Sequence, residues 1–388
     1  MKEVDITPGA VRHDPMPDWP EHLRESAQAL HNGCKLCKMC EKECPLLKEW
    51  GMPGNLAAAL LSGELGAEKA RELAFRCNVC GLCTQVCPVR GLDPRAFFQA
   101  LREVVTGRDE SVLVPYRRLL GYERMGRTRA FSFFGLPRKA RSVFFPGCAL
   151  AGARPDTVWR TYLRLREIDP HMGLVLHCCS KPSLQLGRRA AFELAAGELI
   201  SRLSDAGIEE VLVACPNCHV ALREAVGAAG TLAVRTVYEL LAEHSVEAVA
   251  PAERVKTGVH DPCVLREARS VHEAVRNLLW DNGCSVAEMR HAQHKAVCCG
   301  EGGGVSHAYP EQADKWLAVR LAEARNRDVV VYCAGCLQRL APRVRTWHVL
   351  DILLDGTGGE PPAVASGALA YYNRMRLKGR AVRYLNES

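Results

Sequence analysis

From residue 142 onward, short runs of β-branched and apolar residues alternate with longer stretches of mixed polar and apolar residues. Each short run ends in cysteine: SVFFPGC, GLVLHCC, EEVLVACPNC, VKTGVHDPC, KAVCC and DVVVYCAGC. The longer stretches, such as AAFELAAGELISRLSDAG and VHEAVRNLLWDNG, have the spacing of amphipathic helices. Because strands that alternate with helices form parallel sheets, the pattern predicts an α/β module whose strand ends carry the cysteines.

The part of the chain before residue 142 lacks this alternation. Residues 55–76 (NLAAALLSGELGAEKARELAFR) are rich in Ala, Leu and Glu and repeat their apolar positions at helical spacing. Residues 101–141 are basic and predict a solvated linker, helical at first; a surface for an acidic partner or membrane head groups is the alternative. The tail YYNRMRLKGRAVRYLNES predicts a solvated terminal helix. The predicted domains are residues 1–100, 101–141, 142–254 and 255–388.

The composition is typical of a globular protein of two or three domains, with 388 residues, 48% of them hydrophobic and 24% charged. No stretch approaches the roughly 20 apolar residues of a membrane-spanning helix. The N-terminal segment has no apolar core, so we expect no signal peptide and a cytoplasmic protein. The net charge of +7 comes from basic residues spread along the chain, and it says nothing about nucleic acid.

Nineteen cysteines in a chain expected to be cytoplasmic indicate metal or redox chemistry. Two motifs share the spacing C-x2-C-x2-C-x3-C-P, and their cysteines are Cys34, Cys37, Cys40 and Cys44, then Cys77, Cys80, Cys83 and Cys87. In two-cluster ferredoxins of this spacing, the fourth cysteine of each motif binds the other cluster. The sequence therefore predicts two cubane [4Fe–4S] clusters, held by Cys34, Cys37, Cys40 and Cys87 and by Cys77, Cys80, Cys83 and Cys44. Two zinc knuckles are the alternative, disfavoured by the full repeat ending in Cys-Pro.

The later cysteines form a duplication of single Cys, Cys-Cys and C-x2-C. The first five-cysteine unit is Cys148, Cys178, Cys179, Cys215 and Cys218, and the second is Cys263, Cys298, Cys299, Cys333 and Cys336. Adjacent cysteines make poor disulfides, because their Cα atoms are about 3.8 Å apart. They can instead present two thiolates to one centre larger than a single ion. Gly300, Gly302, Gly303 and Gly304 would let the backbone approach such a group and donate N–H groups to its sulfurs.

These residues resemble the heterodisulfide reductase family. Each unit resembles its cysteine-rich CCG domain, and the fusion to a two-cluster ferredoxin domain resembles its D-type chain, over about residues 25–350. The resemblance implies an α+β multi-domain protein, in which an all-α ferredoxin domain precedes a duplicated α/β, Rossmann-like CCG module. It also implies that each five-cysteine unit holds a non-cubane [4Fe–4S] cluster and that the two clusters flank the site where a disulfide is reduced. One departure is Ser180, where the family usually has glycine.

The function implied is that of an oxidoreductase, a catalytic subunit that reduces a small-thiol or protein disulfide with electrons from the cubane clusters. The alternative is an electron-transfer subunit of a flavoprotein dehydrogenase complex of the glycolate, lactate or glycerol-3-phosphate type. A zinc protein that binds nucleic acid is disfavoured by the cysteine spacing.

Electrons are expected to come from a partner, since no G-x-G-x-x-G follows a strand and the sequence offers no flavin or nicotinamide site. The family implies a flavin-containing subunit or a membrane cytochrome b-type subunit, with this chain peripheral on the inner face of the membrane. His177, His219, His260 and His307 lie near ligand cysteines and could supply protons, although a buried, backbone-bonded histidine is the favoured interpretation of each. Cys284 fits neither unit and is expected to have no role.

Overall fold

The computed structural model describes residues 18–228, 230–244, 254–325 and 327–387. Within those ranges the chain forms a helical N-terminal region followed by one five-stranded and one four-stranded sheet, and each sheet is mostly or wholly parallel. The predicted mixture of an all-helical part and two parallel-sheet parts is therefore confirmed, while the Rossmann-like description stays a prediction. The N-terminal segment 1–17, in which we expect no signal peptide, lies outside the described residues.

The N-terminal region is built of short helices. They are α1 (Glu21–Gly33), α2 (Met39–Glu43), α3 (Pro45–Trp50), α4 (Pro53–Ser62), α5 (Ala67–Arg76), α6 (Leu82–Gln85), α7 (Pro94–Arg108) and, after a 3-10 segment (Glu110–Tyr116), α8 (Arg117–Arg127). Prolines begin α3, α4 and α7, where their missing N–H has no intrahelical partner to lose. The helix predicted over 55–76 is in fact two, α4 and α5, because Gly63 and Gly66 between them have positive φ angles of 82° and 57°.

The first repeat forms the sheet with strand order β1-β3-β2-β4-β5. Its elements are β1 (Phe133–Gly135), β2 (Ser142–Phe145), α9 (Cys148–Ala153), α10 (Pro155–Ile168), β3 (Gly173–Leu176), α11 (Lys181–Gln185), α12 (Arg189–Asp205), β4 (Glu210–Val213), α13 (Pro216–Val226), β5 (Ala233–Thr236) and α14 (Val237–Glu243). Strand β1 runs antiparallel to β3, with Phe133 opposite Leu176, and the other neighbours pair in parallel. The predicted linker thus ends inside this sheet.

The second repeat forms the sheet with strand order β7-β6-β8-β9. Its elements are β6 (Val255–His260), α15 (Arg269–Asp281), β7 (Cys284–Val286), α16 (Val305–Ala308), α17 (Pro310–Ala324), β8 (Asp328–Val331), α18 (Ala334–Leu340), β9 (Thr346–His348) and α19 (Val349–Asp355), followed by α20 (Gly367–Glu387). The order matches β3-β2-β4-β5 of the first repeat, so the duplication predicted from the cysteines extends to the sheets.

One predicted strand, KAVCC, is wrong. The place beside β6 is taken by β7, which begins at the buried Cys284. Residues 296–299 have no regular structure. They turn instead toward the N-terminal region, where Val297 packs with Leu82 and Trp316.

The two repeats share one apolar core, to which both sheets contribute, for example through Leu212 and Val330. A buried ion pair joins Arg154 Nε to Asp351 at 3.0 Å. The Tyr238 hydroxyl of the first repeat lies 3.2 Å from the carbonyl oxygen of Tyr332 in the second. Buried polar groups are normally paired in this way, and the pairing links the repeats.

The linker and the tail are less exposed than predicted. Helix α20 packs against α9 and α10, with Leu377 and Ala381 buried and the Asn373 amide donating to Gly152 O at 2.9 Å. Helix α8 buries Glu123 and Gly126. Each helix has a buried stripe that the predictions, based on net charge, overlooked. Of the helices within the described ranges, none has the length and apolar composition needed to span a bilayer.

Candidate metal centres

Four cysteines of the predicted first cluster line one cavity of the N-terminal region. This outer four-cysteine site consists of Cys34, Cys37, Cys40 and Cys87. Cys34 caps the C-terminus of α1, Cys40 lies in α2 and Cys87 follows α6. The site lies close to the surface, because residues 35–39, which include Cys37, are exposed.

The four cysteines of the predicted second cluster line another cavity. This inner four-cysteine site consists of Cys44, Cys77, Cys80 and Cys83. Cys44 joins α2 to α3, and Cys77 caps the C-terminus of α5. The structure thus brings together the two sets predicted from spacing, with the fourth cysteine of each motif exchanged. Which cluster each set holds stays a prediction.

The first five-cysteine unit gathers at the carboxyl ends of β2, β3 and β4. Hydrogen bonds link its thiols in two groups: Cys178 with Cys148, and Cys218 with Cys179 and Cys215. The bond from Cys178 lowers the pKa of Cys148 to about 7. A thiol with a lowered pKa is more readily present as the thiolate that binds metal.

The second five-cysteine unit forms an unbroken chain of thiols. Hydrogen bonds join the thiol of Cys263 to that of Cys298, Cys298 to Cys299, Cys299 to Cys336, and Cys336 to Cys333. Hydrogen bonds from the Cys298 and Cys336 thiols lower the pKa of Cys299 to about 6. All five side chains therefore converge on one place, as the duplication predicted.

At three glycines the backbone lies directly against the thiols of these sites. A Cβ on Gly147 would lie 2.8 Å from Cys215 Cβ and 3.0 Å from Cys218 Sγ. A Cβ on Gly54 would lie 2.9 Å from Cys34 Sγ, and one on Gly302 would lie 3.0 Å from Cys298 Sγ. The absence of side chains at these three positions beside the thiols fits iron–sulfur clusters, which need the backbone to approach closely.

Charge also fits. Arg102 is fully buried, and within the described ranges its hydrogen bonds go to backbone carbonyls, among them Ala74 O at 2.6 Å and Cys77 O. A buried cation normally needs a counter-charge. Thiolates around iron at the inner site would supply one, and Arg102 accordingly lowers the pKa of Cys77, although burial raises that pKa to about 11 overall.

The glycine-rich loop does more than approach its own cysteines. The Asn78 amide donates to the carbonyl oxygens of Gly300 and Gly302, at 3.2 and 3.1 Å. Arg102 Nη1 donates to Gly303 O at 3.2 Å. The Gly300 N–H donates to Cys298 Sγ at 3.3 Å, as the predicted role of these glycines requires. The loop therefore also docks the second repeat on the N-terminal region.

The inner site adjoins the second five-cysteine unit. Cys44, Cys80 and Cys263 pack against a buried group that contains Cys298. Arg266, which follows Cys263 by three residues, donates to Cys80 O at 2.8 Å and to Ala296 O at 2.5 Å. The inner four-cysteine site and the second five-cysteine unit are therefore direct neighbours.

The two five-cysteine units also meet. The Asn217 amide of the first unit's C-x2-C segment lies 3.8 Å from Cys333 Sγ of the second. Lys181 lies near both Cys179 and Cys263, and burial lowers its pKa to about 8. An amide and a basic side chain therefore lie where the two units meet.

The four histidines singled out from the sequence all have lowered pKa values. Burial lowers the pKa of His177 to about 4 and that of His260 to about 3, and it also lowers the pKa of His219 and His307. A neutral imidazole can still donate one N–H.

Sequence reasoning missed the side chains that join the sites. Asn78 and Asn217 stand inside C-x2-C motifs, where only the cysteines attracted notice, and that placement was the available signal. Arg102 and Arg266 gave no signal, because each acts on carbonyls of segments remote in sequence.

Comparison with known families accounts for these segments. A 4Fe-4S dicluster domain matches residues 33–91, and a cysteine-rich domain matches twice, at residues 142–223 and 257–341. Segments similar to these two domain families thus follow one another along the chain. The described residues thus contain one dicluster domain and two CCG domains.

The relatives found are distant in sequence but similar over most of the chain. The B-type chain of fumarate reductase (CoM/CoB) from Methanothermobacter marburgensis is 25% identical over 345 residues, which cover 82% of this chain and 68% of that protein. The D-type chain of dihydromethanophenazine:CoB–CoM heterodisulfide reductase from Methanosarcina barkeri is 22% identical, over 80% of this chain and 86% of that protein. The predicted similarity to the D-type chain of heterodisulfide reductase is confirmed.

Among solved structures, an aspartate racemase homologue from Pyrococcus horikoshii OT3 aligns with 62% of this chain and 99% of its own. The identity is 13% and the TM-score 0.26. A similarity of that size supports no inference about fold or function. The domain families and the reductase relatives together support an iron–sulfur protein with an oxidoreductase role.

Proposed function

We propose that the chain is the iron–sulfur catalytic subunit of a heterodisulfide reductase-like complex and that it reduces a disulfide between the two five-cysteine units. The observation that carries the proposal is the meeting of two complete units, with Asn217 Nδ2 3.8 Å from Cys333 Sγ. The reaction adds two electrons and two protons to an S–S bond and releases two thiols. Clusters bound there would supply single-electron transfer and iron sites for sulfur.

Each of the four cysteine sets would hold one cluster. We assign a cubane [4Fe–4S] cluster to each four-cysteine site and a non-cubane [4Fe–4S] cluster to each five-cysteine unit. The convergence of each set supports this assignment. So do the three glycines that lie next to the thiols of Cys34, Cys218 and Cys298.

Electrons would enter at the outer site and leave the inner site toward the second unit. The exposure of Cys37 supports the first step, and the packing of Cys80 against Cys298 supports the second. Because the relatives are named as subunits, a partner chain is expected to deliver the electrons. A flavin-containing or membrane cytochrome b-type subunit is the proposed partner.

A small disulfide suits the site better than a protein disulfide. Eight of the ten cysteines of the two units are buried, so a folded protein would not reach them easily. Lys181 and Asn217 offer a cation and an amide donor to a substrate that bears acidic groups. The names of the relatives, which include CoM and CoB, agree with this class.

The alternative is a subunit that only transfers electrons between a dehydrogenase and a quinone or cytochrome. The same burial of eight cysteines favours it, because electron transfer needs no access for a substrate.

The first test is the amount of iron and acid-labile sulfide per chain in protein purified without oxygen. About sixteen irons are expected for four clusters of four. Cys299→Ala should reduce the content to about twelve, while Cys284→Ala, a buried cysteine outside both units, should leave it unchanged. About eight irons after reconstitution would contradict the loading of the five-cysteine units.

Turnover separates the two candidates. With a reduced viologen as electron donor, the fully loaded protein should convert a disulfide of small acidic thiols to two thiols, and Cys299→Ala should not. A loaded protein that accepts electrons but reduces no such disulfide would support the electron-transfer alternative.

A further inference from the structure

His260 stands out among the histidines near the cysteines. It ends strand β6 and is fully buried. One ring nitrogen lies within 4.8 Å of the sulfur atoms of both Cys299 and Cys336. These two sulfur atoms also lie within 4.8 Å of each other. An imidazole thus joins the thiols of the second five-cysteine unit.

Both ring nitrogens of His260 lack a hydrogen-bond partner in the part of the chain that the structure describes. Buried polar atoms are nearly always paired, so two orphaned nitrogens on one ring require an explanation. Orphaned ring nitrogens alone do not mark a ligand site, since both nitrogens of His272 are also unpaired among the described residues. His260 differs because its ring lies against two thiols that are proposed cluster ligands.

The charged groups nearest to His260 are occupied by other partners. Asp261 accepts hydrogen bonds from Arg276, from Tyr332 Oη at 2.8 Å and from the Gln293 N–H at 2.6 Å. Arg320, which is buried nearby, donates to His291 O at 2.8 Å. Neither side chain is bonded to the imidazole, which leaves it directed at the cysteines.

The first repeat has no equivalent of this histidine. Cys263 corresponds to Cys148 in the duplication, so the position three residues earlier is His260 in one repeat and Phe145 in the other. Phe145 is also fully buried at a strand end, and it packs in the same apolar group as Cys179 and Cys218. The two rings hold matching places beside the two units, but only one of them has nitrogens.

We propose that the His260 imidazole donates its N–H to a sulfur atom of the cluster in the second five-cysteine unit, which makes that cluster easier to reduce than its counterpart beside Phe145. Hydrogen bonds to cluster sulfurs raise the reduction potential, because they stabilise the added negative charge. The second unit adjoins the inner site, so the electron delivered from that site would be retained there. The inference rests on the proposed function only in requiring that both units hold clusters.

The test compares His260→Phe, which copies the first repeat, with His260→Gln, which retains an N–H donor. His272→Phe is the matched control, since His272 is a buried histidine of α15 in the same repeat. Each anaerobic protein is assayed for iron, titrated with reductant under electron paramagnetic resonance, and examined for exchangeable protons coupled to the reduced cluster.

We expect all four proteins to contain about sixteen irons. His260→Phe should lower the potential of one cluster and remove one exchangeable proton coupling, His260→Gln should restore part of both, and His272→Phe should change neither. A full iron content with unchanged potentials in His260→Phe would overturn the inference alone, and so would a nitrogen bound directly to iron in the parent protein. About eight irons in the parent protein would overturn the inference and the proposed function together.

Discussion

Gly147 is the residue that most tightly limits the first five-cysteine unit. Its φ of 82°, together with the 2.8 Å that would separate an added Cβ from Cys215 Cβ, leaves no room for a side chain. The equivalent residue of the second repeat is Pro262. The two units therefore let the chain approach the thiols by different means.

Gly147→Ala should displace Cys215 or Cys218 and prevent the first cluster from binding. We expect the iron content to fall from about sixteen to about twelve per chain, with the other clusters retained. Gly197→Ala on α12 is the matched control, because a Cβ there meets nothing within 4 Å. An unchanged iron content in Gly147→Ala would show that the unit can open to accept the methyl group.

Ser180 illustrates what sequence could and could not predict at this scale. Its place after the cysteine pair marks it as a departure from the family pattern, and it indeed adopts a left-handed conformation with a φ of 56°. The equivalent Gly300 has a φ of 97°. Spacing identified the position, but the contacts that hold a strained serine depend on the surrounding fold and could not be inferred from the sequence.

At the scale of elements, α7 connects all three parts of the chain through one side chain. Arg102 donates to Ala74 O within the N-terminal region, to Gln185 O of the first repeat at 2.8 Å and to Gly303 O of the second at 3.2 Å. Removing it would leave several buried carbonyls unpaired.

Arg102→Gln should therefore lower the free energy of unfolding by at least about 2 kcal/mol, since each unpaired buried carbonyl costs about 1–3 kcal/mol. The midpoint of a thermal unfolding scan of the anaerobic protein should fall accordingly. Arg118→Gln, at an exposed position of α8, should leave the midpoint within error. Equal midpoints for both variants would mean that α7 is held by its apolar contacts alone.

The helices and strands were predictable where the local sequence pattern agrees with the position of the segment in the fold. The helices around 190–207 and 271–283 and five of the six strands before cysteines were predicted correctly, because apolar periodicity determined which face each would bury. KAVCC failed, since its apolar residues pack against Leu82 and Trp316 rather than in a sheet. A short apolar run does not reveal its partner.

At the scale of the whole molecule, the exposed segment 35–39 offers a place for electron entry. It contains Cys37, flanked by the exposed apolar side chains Leu36 and Met39 and by the basic Lys35 and Lys38. Such a surface favours a partner with acidic residues around its own redox centre.

Reversing both charges, with Lys35→Glu and Lys38→Glu, should slow reduction by an acidic electron-transfer protein about tenfold or more at low salt, because steering depends on charge. Stopped-flow absorbance measures the rate. Lys48→Glu with Lys69→Glu, exposed on α3 and α5, is the control of equal net charge. Rates that fall equally in both proteins would place electron entry elsewhere.

The position of α20 has a consequence for how the protein is made. Arg374 of this helix lies over the rings of Tyr122 and Phe131, and the Tyr122 hydroxyl donates to Cys148 O at 2.9 Å. The helix that covers the first repeat is thus translated after the whole of the second. We therefore expect the surface beside Cys148 to stay uncovered until this last helix leaves the ribosome.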